Sequence, residues 1–351
     1  MSGSATTNLP LAYYPGCSQT GTAAEYDRST RACCAALGVE LVDVPDWTCC
    51  GSTPAHTVDH FLAGALAARN LLQAELAGHD RVATPCPSCL AALRTASQHL
   101  AEPAPEADAK NSGTSYRTEP SFRTEVERLL DRPAPLRASA VSVLQVLLED
   151  VGVETIAAAV QRPLTGLRVA PYYGCLLNRP PGLMAFDDPE NPTAMDRLLA
   201  ACGATVVAFP FKTECCGAAF GMPRLDVVQR LSARILDMAK ECGADVIAVA
   251  CPLCQMNLDL RRGQVNAAAG THFAQSVPYF TQLLGLALGL PESALGLDKL
   301  VLPLQPALAG ANIRAQEAGA ARDNRNGHAK GAHGDHSGPK PAVKQEDAPC
   351  A

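Results

Sequence analysis

No stretch of this chain is apolar for long enough to cross a bilayer, which takes about 20 residues. Its most apolar run, Val277 to Leu290, is too short and is interrupted by Gln282. The opening residues, Met1 to Pro10, lack the charged-then-apolar order of a signal peptide, so a cytoplasmic location is expected. Positive charge is not in excess either. With 29 Lys and Arg against 35 Asp and Glu, the net charge is -6, and phosphate backbones require a basic face. Nucleic acid is therefore not an expected partner. No GxGxxG follows a strand-like run, which removes a nucleotide or flavin site of the fingerprint type. The compact CxxCxxC run of ferredoxins is missing as well. What remains is a globular composition, 47% hydrophobic and 18% charged over 351 residues, with room for two domains.

Cysteine, by contrast, is abundant, with 15 in the chain. A secreted disulfide scaffold is usually small and loop-rich. Here the cysteines punctuate long alternating helix and strand patterns, and two adjacent pairs, Cys49-Cys50 and Cys215-Cys216, are poorly placed to form a disulfide with each other. Ten of the cysteines form two sets in one order. The first is Cys17, Cys49, Cys50, Cys86 and Cys89; the second is Cys175, Cys215, Cys216, Cys251 and Cys254. Gaps of 31 and 35 residues in the first set correspond to 39 and 34 in the second, each written C…CCG…CPxC. This is a metal-binding framework, duplicated.

The duplication extends to the elements between the cysteines. Leu9 to Tyr14, Val39 to Val44 and Arg81 to Thr84 read as strands, separated by helices from Glu25 to Leu37 and from Val58 to Leu76. Gly38 and Gly78 stop the helices, and Gly203 and Gly243 do so in the second copy. From Gly38 to Pro45 and from Gly203 to Pro210 the step is 7 positions; from Gly78 to Cys86 and from Gly243 to Cys251 it is 8. Tyr172-Tyr173-Gly174-Cys175 echoes Tyr13-Tyr14-Pro15-Gly16-Cys17, and Asn178 to Pro192 is an insertion special to the second copy. Each cysteine group thus follows a strand's C-terminal end, the edge where open α/β sheets hold ligands. The expected fold is α/β: two tandem Rossmann-like CCG domains with short parallel sheets, related by a pseudo-twofold axis. Residues 9–100 form the first domain and 167–303 the second. Residues 101–166 form an insert and a connecting helix (Val141 to Val160), and 304–351 a disordered tail. The tail histidines His328, His333 and His336 are expected to be solvated.

Five cysteines stand outside the framework. Cys202 and Cys242 occupy helix ends that hold Leu37 and Ala77 in the other copy, Cys33 and Cys34 lie within a helix, and Cys350 is in the tail. Buried small-residue roles suit them. For the ten framework thiols, two readings compete. Structural zinc takes four ligands, commonly as two close pairs. Five thiols including an adjacent pair suit a polynuclear iron–sulfur centre better. Among polar neighbours, Lys212 before the second pair and His56 after the first are candidate proton donors, in competition with ordinary surface or helix-start roles.

Tyr13-Tyr14-Pro15-Gly16-Cys17, Asp46-Trp47-Thr48-Cys49-Cys50-Gly51, Ala67-Ala68-Arg69-Asn70, the paired CPxC motifs and Phe280-Thr281-Gln282-Leu283-Leu284-Gly285 together resemble the B subunit of heterodisulfide reductases. The resemblance covers roughly Leu9 to Leu100 and Leu167 to Leu290. It implies that each five-cysteine set holds one noncubane [4Fe–4S] cluster and that a disulfide is split between the two by single-electron steps. It also implies two partners, a ferredoxin-like C subunit with cubane [4Fe–4S] clusters and a flavin-containing A subunit. Thiolate-bound iron suits a soft sulfur substrate. Two other functions compete: an electron-transfer subunit of a quinone- or carrier-linked dehydrogenase, and a zinc-stabilised scaffold.

Overall fold

The computed structural model describes residues 10–52, 54–101, 121–134 and 137–330. In the first half, β1 (Pro10–Tyr13), α1 (Ala24–Ala36), β2 (Glu40–Asp43), α2 (Pro54–Val58), α3 (His60–Leu76), β3 (Arg81–Thr84) and α4 (Pro87–Ala101) follow in order. After them come α5 (Phe122–Leu130), β4 (Ser139–Ser142), α6 (Val143–Val146), a π-helical turn and α7 (Val153–Ala159). The second half runs β5 (Arg168–Tyr172), α8 (Pro181–Met184), α9 (Ala194–Ala201), β6 (Thr205–Val206), α10 (Leu225–Glu241), β7 (Val246–Val249) and α11 (Pro252–Gln255). It closes with α12 (Arg262–Ala269), α13 (Phe280–Ala287), α14 (Glu292–Leu295) and α15 (Gln305–Lys330).

All strand pairs are parallel, so each crossover carries a helix. The first sheet has the order β2-β1-β3-β4 and the second β6-β5-β7. Strands β3 and β7 read Arg-Val-Ala-Thr and Val-Ile-Ala-Val, and β7 is buried along its whole length. Such continuous apolar runs belong to strands covered on both faces.

The connecting segment differs from its sequence reading. Val141 and Ser142, expected to open a helix, instead end β4, which pairs with β3 from Arg81↔Ser139 to Thr84↔Ser142. The second half has the counterpart. Val246 and Val249 bridge to Ser276 and Tyr279, with Ile247 N–H donating to Ser276 O at 3.0 Å and Val249 N–H to Pro278 O at 3.0 Å. Each is an edge segment of four residues leading straight into a helix, too short for alternation to be legible. Both helices carry a glutamine three positions on. Gln145 N–H donates to the Ser142 hydroxyl at 3.0 Å, and the Gln282 side chain accepts from Tyr279 N–H at 2.9 Å.

A second correction concerns the C-terminal tail, expected to be disordered from 304. Gln305–Lys330 is a helix. Its Ala- and Gln-rich start has high helix propensity, although its composition is that of a low-complexity segment. Ala311 is 3% exposed, Arg314 Nε donates to Gly166 O at 3.0 Å, and the Arg314 guanidinium pairs with Asp245. His333, His336 and Cys350 lie outside the described residues, as does the insert from 102 to 120.

The halves pack through helices that follow the sheets. On α1, Ser29 and Thr281 share a 2.7 Å hydroxyl contact, and Cys33 Sγ donates to Thr281 O at 3.1 Å. The Tyr26 ring stacks on Tyr279 with centroids 4.0 Å apart, and its hydroxyl donates to Ala250 O at 3.1 Å. Arg94 of α4 bolts the other side. Its guanidinium donates to Ala140 O at 2.8 Å, to Gln145 Oε1 at 3.1 Å and to the carbonyls of Leu183 and Met184 in the second half. Charged donors in such settings contribute about 1.5–3 kcal/mol each, and removal strands their acceptors. Arg94→Ala is expected to lower stability by about 3 kcal/mol, read as a lower urea midpoint for the far-ultraviolet transition.

Candidate metal-cluster site

Cys17, Cys49-Cys50 and Cys86 follow β1, β2 and β3, and Cys89 stands in the first turn of α4. Cys175, Cys215-Cys216 and Cys251 follow β5, β6 and β7, with Cys254 in α11. Pro87 and Pro252 open their helices, where a missing N–H costs nothing. Three strand ends thus deliver each set. Within both sets the last three thiols, Cys50, Cys86, Cys89 and Cys216, Cys251, Cys254, are buried, while Cys17 and Cys215 are exposed and Cys49 and Cys175 partly so. Each set is closed inside and open outside.

The thiols hydrogen-bond to one another. Bonds from Cys49 and Cys89 lower the Cys50 thiol to about 3, and Cys89 likewise lowers Cys86. The donors move the other way: Cys49 and Cys89 are raised by giving those protons. In the second set a bond from Cys175 lowers Cys215 to about 6, and Cys254, with its sulfur 3.6 Å from that of Cys216, lowers Cys216. The thiolate is the metal ligand, so each set holds anionic sulfur ready for a cation. The non-framework cysteines contrast with this. Burial raises Cys34 and Cys202 to about 12, and raises Cys33 and Cys242 too.

The loops are shaped around these sulfurs. Gly51 and Gly217 take φ of +79° and +82° and turn their N–H groups onto the Cys49 and Cys215 sulfurs, at 3.4 and 3.3 Å. A Cβ on Gly16 would lie 2.9 Å from Cys89 Sγ, and one on Gly174 3.0 Å from Cys254 Sγ. The Tyr14 hydroxyl donates to Thr48 O and the Tyr172 hydroxyl to Glu214 O, both at 2.7 Å, just ahead of each cysteine pair. Strand register therefore aligns Tyr14 with Tyr172 and puts Tyr173 opposite Pro15, one step away from the sequence echo. Loss of one neutral bond costs about 1 kcal/mol, the expected penalty for Tyr14→Phe or Tyr172→Phe in the same urea titration.

Two asparagines complete the frame. Asn70 accepts from Thr48 N–H at 2.8 Å and donates to Thr48 O and Cys49 O, while its neighbour Arg69 donates to Asp46 O at 2.7 Å. The Ala-Ala-Arg-Asn motif is thus a clamp on the first cysteine-pair loop. In the second half Asn257 takes over, donating to Cys216 O at 3.2 Å and Cys216 Sγ at 3.4 Å. Sequence spacing carries no signal for either role.

Gln19 and Asn178, two and three residues after Cys17 and Cys175, are 3% and 1% exposed, and their amides have no hydrogen-bond partner. Buried amides are rarely left so. Gln19 Oε1 lies 3.8 Å from the point beside Gly16 where a Cβ would stand. Five thiols with orphaned amides beside them fit a sulfur-rich cluster better than a small ion. Among the described residues, no three His, Cys, Asp or Glu side chains form a site for a single metal ion.

The two candidate proton donors are placed differently. Lys212 is buried; its ammonium donates to Asp196 Oδ1 at 2.6 Å and Pro192 O at 2.9 Å, and its carbonyl accepts from Tyr173 and Gly174 N–H. His56 lines a cavity beside Cys50. That cavity is also touched by Leu176, next to Cys175, so the loops of the two sets are neighbours. Burial raises the Tyr26 phenol, and both Cys251 and Cys86 raise it further, which places this ring near both sets.

Comparison with known proteins agrees with this layout. The family model "CCG: Cysteine-rich domain" matches twice, over residues 11–94 and 169–259. The 8-methylmenaquinol:fumarate reductase membrane anchor subunit of Wolinella succinogenes is 31% identical over 292 residues, covering 83% of this chain and 96% of the relative. The B subunit of the ferredoxin:CoB-CoM heterodisulfide reductase of Methanosarcina mazei is 30% identical over 292 residues, covering 82% and 92%. A crystal structure of a hypothetical protein from Helicobacter pylori shares the fold, with a TM-score of 0.62 at 11% identity over 84% of this chain; the match spans 52% of that protein.

Proposed function

Because the chain belongs to the family of heterodisulfide reductase B subunits, with their paired cysteine-rich domains, we propose that it is the component of a multi-subunit oxidoreductase in which a disulfide is reduced. At the coarser level it is an iron–sulfur electron-transfer protein, and no helix among the described residues is long and apolar enough to cross a membrane. In this reading Cys17, Cys49, Cys50, Cys86 and Cys89 hold one noncubane [4Fe–4S] cluster and Cys175, Cys215, Cys216, Cys251 and Cys254 the other. The clusters, when bound, supply single-electron transfer and iron with affinity for soft sulfur. The observation that carries the proposal is the twofold occurrence of five thiols at three strand ends, with thiol–thiol hydrogen bonds inside each set and buried amides left unpaired beside them.

The protein's own groups divide the work. The buried trio of each set anchors, and the outer pair leaves an approach from solvent. Gly51 and Gly217 donate to the outer thiolates, and Tyr14, Tyr172, Asn70 and Asn257 hold the loops. Lys212, its charge taken up by Asp196, ties the loop before Cys215 to that before Cys175; His56 retains the proton-donor role. A ferredoxin-like C subunit with cubane clusters and a flavin-containing A subunit are the proposed partners.

One observation favours a second reading, electron transfer with a quinol pool: the Wolinella relative, whose name specifies a methylmenaquinol, matches over nearly its full length. Anaerobic isolation with iron, sulfide and zinc assays is expected to give about eight irons per chain. Zinc alone would overturn both readings. The paramagnetic signal of the oxidised protein is expected to change on adding thiol or disulfide; a signal that answers only to a quinol selects the second.

A further inference from the structure

A cavity of about 560 Å³ opens beside Cys50, at the junction of α3, α4 and α5. That volume is in the range of small-molecule pockets, about 300–1,000 Å³. Its floor is made of small residues, among them Ala63, Gly64, Ala92 and Ala96, and the buried Cys50 and Ser88 also line it. One wall is aromatic. Phe122 meets Phe61 edge to face at 5.8 Å and His99 at 5.5 Å. It lies directly on the helix backbone, since a Cβ on Gly64 would come within 2.8 Å of its ring. Across the mouth, His56 and His60 stand edge to face at 4.3 Å.

Charge sets the ligand class. Among the described residues no Lys, Arg, Asp or Glu lines the cavity, so none of them offers an anionic substrate an ionic partner. The side-chain donors among the lining residues are three imidazoles and the hydroxyls of Ser52, Ser88 and Thr95, all of them uncharged or weakly basic, around an apolar, aromatic slot. That combination recognises a flat, uncharged ring bearing carbonyl oxygens. Apolar residues continue outward from it: Val58, between His56 and His60 in sequence, is 84% exposed, Leu62 41% and Leu176 37%. An uncharged ring with an alkyl or isoprenoid tail would cover them.

We propose that this cavity is a quinone site, holding the ring between the Phe61–Phe122 wall and the alanine floor, with its carbonyl oxygens accepting from Ser88 and from His60 or His99. The proposal deepens the second reading above by giving it a location. It adds a ligand for which the disulfide reading has no use.

The test uses 2,3-dimethyl-1,4-naphthoquinone, whose blocked ring positions cannot add thiols, in anaerobic equilibrium dialysis against the full-length, cluster-loaded chain. Saturable binding of one molecule per chain is expected. Ala92→Trp, which fills the slot, is expected to abolish it. The double variant His60→Leu with His99→Leu should weaken it about tenfold, the worth of a lost hydrogen bond or so. His79→Leu, outside the cavity, should leave it unchanged. No saturable binding, or undiminished binding in Ala92→Trp, overturns the proposal. If Ala92→Trp loses iron, the double histidine variant decides, and unchanged affinity there overturns it. A negative result with full iron content leaves the iron–sulfur assignment standing.

Discussion

Replacing Cys50 with alanine is expected to remove about half of the iron from the anaerobically isolated chain, and Cys216→Ala the other half. The argument rests on where these thiols sit. Cys50 is 4% exposed and Cys216 1%, and each is hydrogen-bonded to a thiol delivered by a different strand end, Cys89 and Cys254 respectively. No water can replace such a sulfur without a buried polar vacancy. Exposed ligands should behave differently. Cys17→Ala opens the solvent side of its set and is expected to leave more iron than Cys50→Ala, though with altered paramagnetic signals. Cys33→Ala and Cys202→Ala are the controls, because burial raises both thiols and Cys33 donates to Thr281 O across the interface rather than to a framework sulfur. They should cost stability, about 1–2 kcal/mol, and no iron. Iron and acid-labile sulfide assays beside low-temperature spectra check all five. Equal iron in Cys33→Ala and Cys50→Ala would dismantle the ligand assignment.

The elements of the fold differ in how far sequence alone reveals them. Cysteine spacing and the glycine helix stops are legible because each reflects a local requirement: Gly38, Gly78, Gly203 and Gly243 all take positive φ. The strands before each cysteine group are legible for the same reason, as short apolar runs ending at proline or glycine. The edge strand β4 and its counterpart at Ser276–Tyr279 are not, because pairing with β3 and β7 defines them and no residue pattern does. Helix α15 is easily mistaken for a disordered tail because alanine-rich sequence is both low in complexity and high in helix propensity. In sequence Asn70 is only the last letter of a family motif; its bonds to Thr48 and Cys49 give the physical reason for that motif. The cavity at His56 depends on α5 folding across α3 and α4, a tertiary event that neither segment announces.

The second large effect concerns Gly51, and its control is another glycine. A Cβ on Gly51 would lie 2.6 Å from Ala63 O and 2.7 Å from Ala63 Cα, both backbone atoms of α3, at a φ of +79°. Neither neighbour can rotate away, so the loop or the helix must move. Moving the loop withdraws the Gly51 N–H from the Cys49 sulfur; moving the helix disturbs Asn70 and its grip on Thr48. Gly78 has a φ of +85° with nothing within 4 Å of its Cβ position. Gly78→Ala therefore isolates the cost of the left-handed backbone, about 1 kcal/mol. Gly51→Ala adds overpacking against fixed backbone and is expected to reach about 4 kcal/mol. Gly217→Ala should fall between them, since its Cβ would meet Leu231 Cδ1 and Val228 Cα at 3.2 Å, and the leucine end can give way. The order Gly51, Gly217, Gly78 in urea midpoint loss is the measurable consequence. With it should go a selective loss of iron from the first set in Gly51→Ala, because the displaced loop carries Cys49 and Cys50. Parallel loss from both sets would mean that the two centres assemble as one unit, and the independent-site argument from Cys50 and Cys216 would then have to be abandoned.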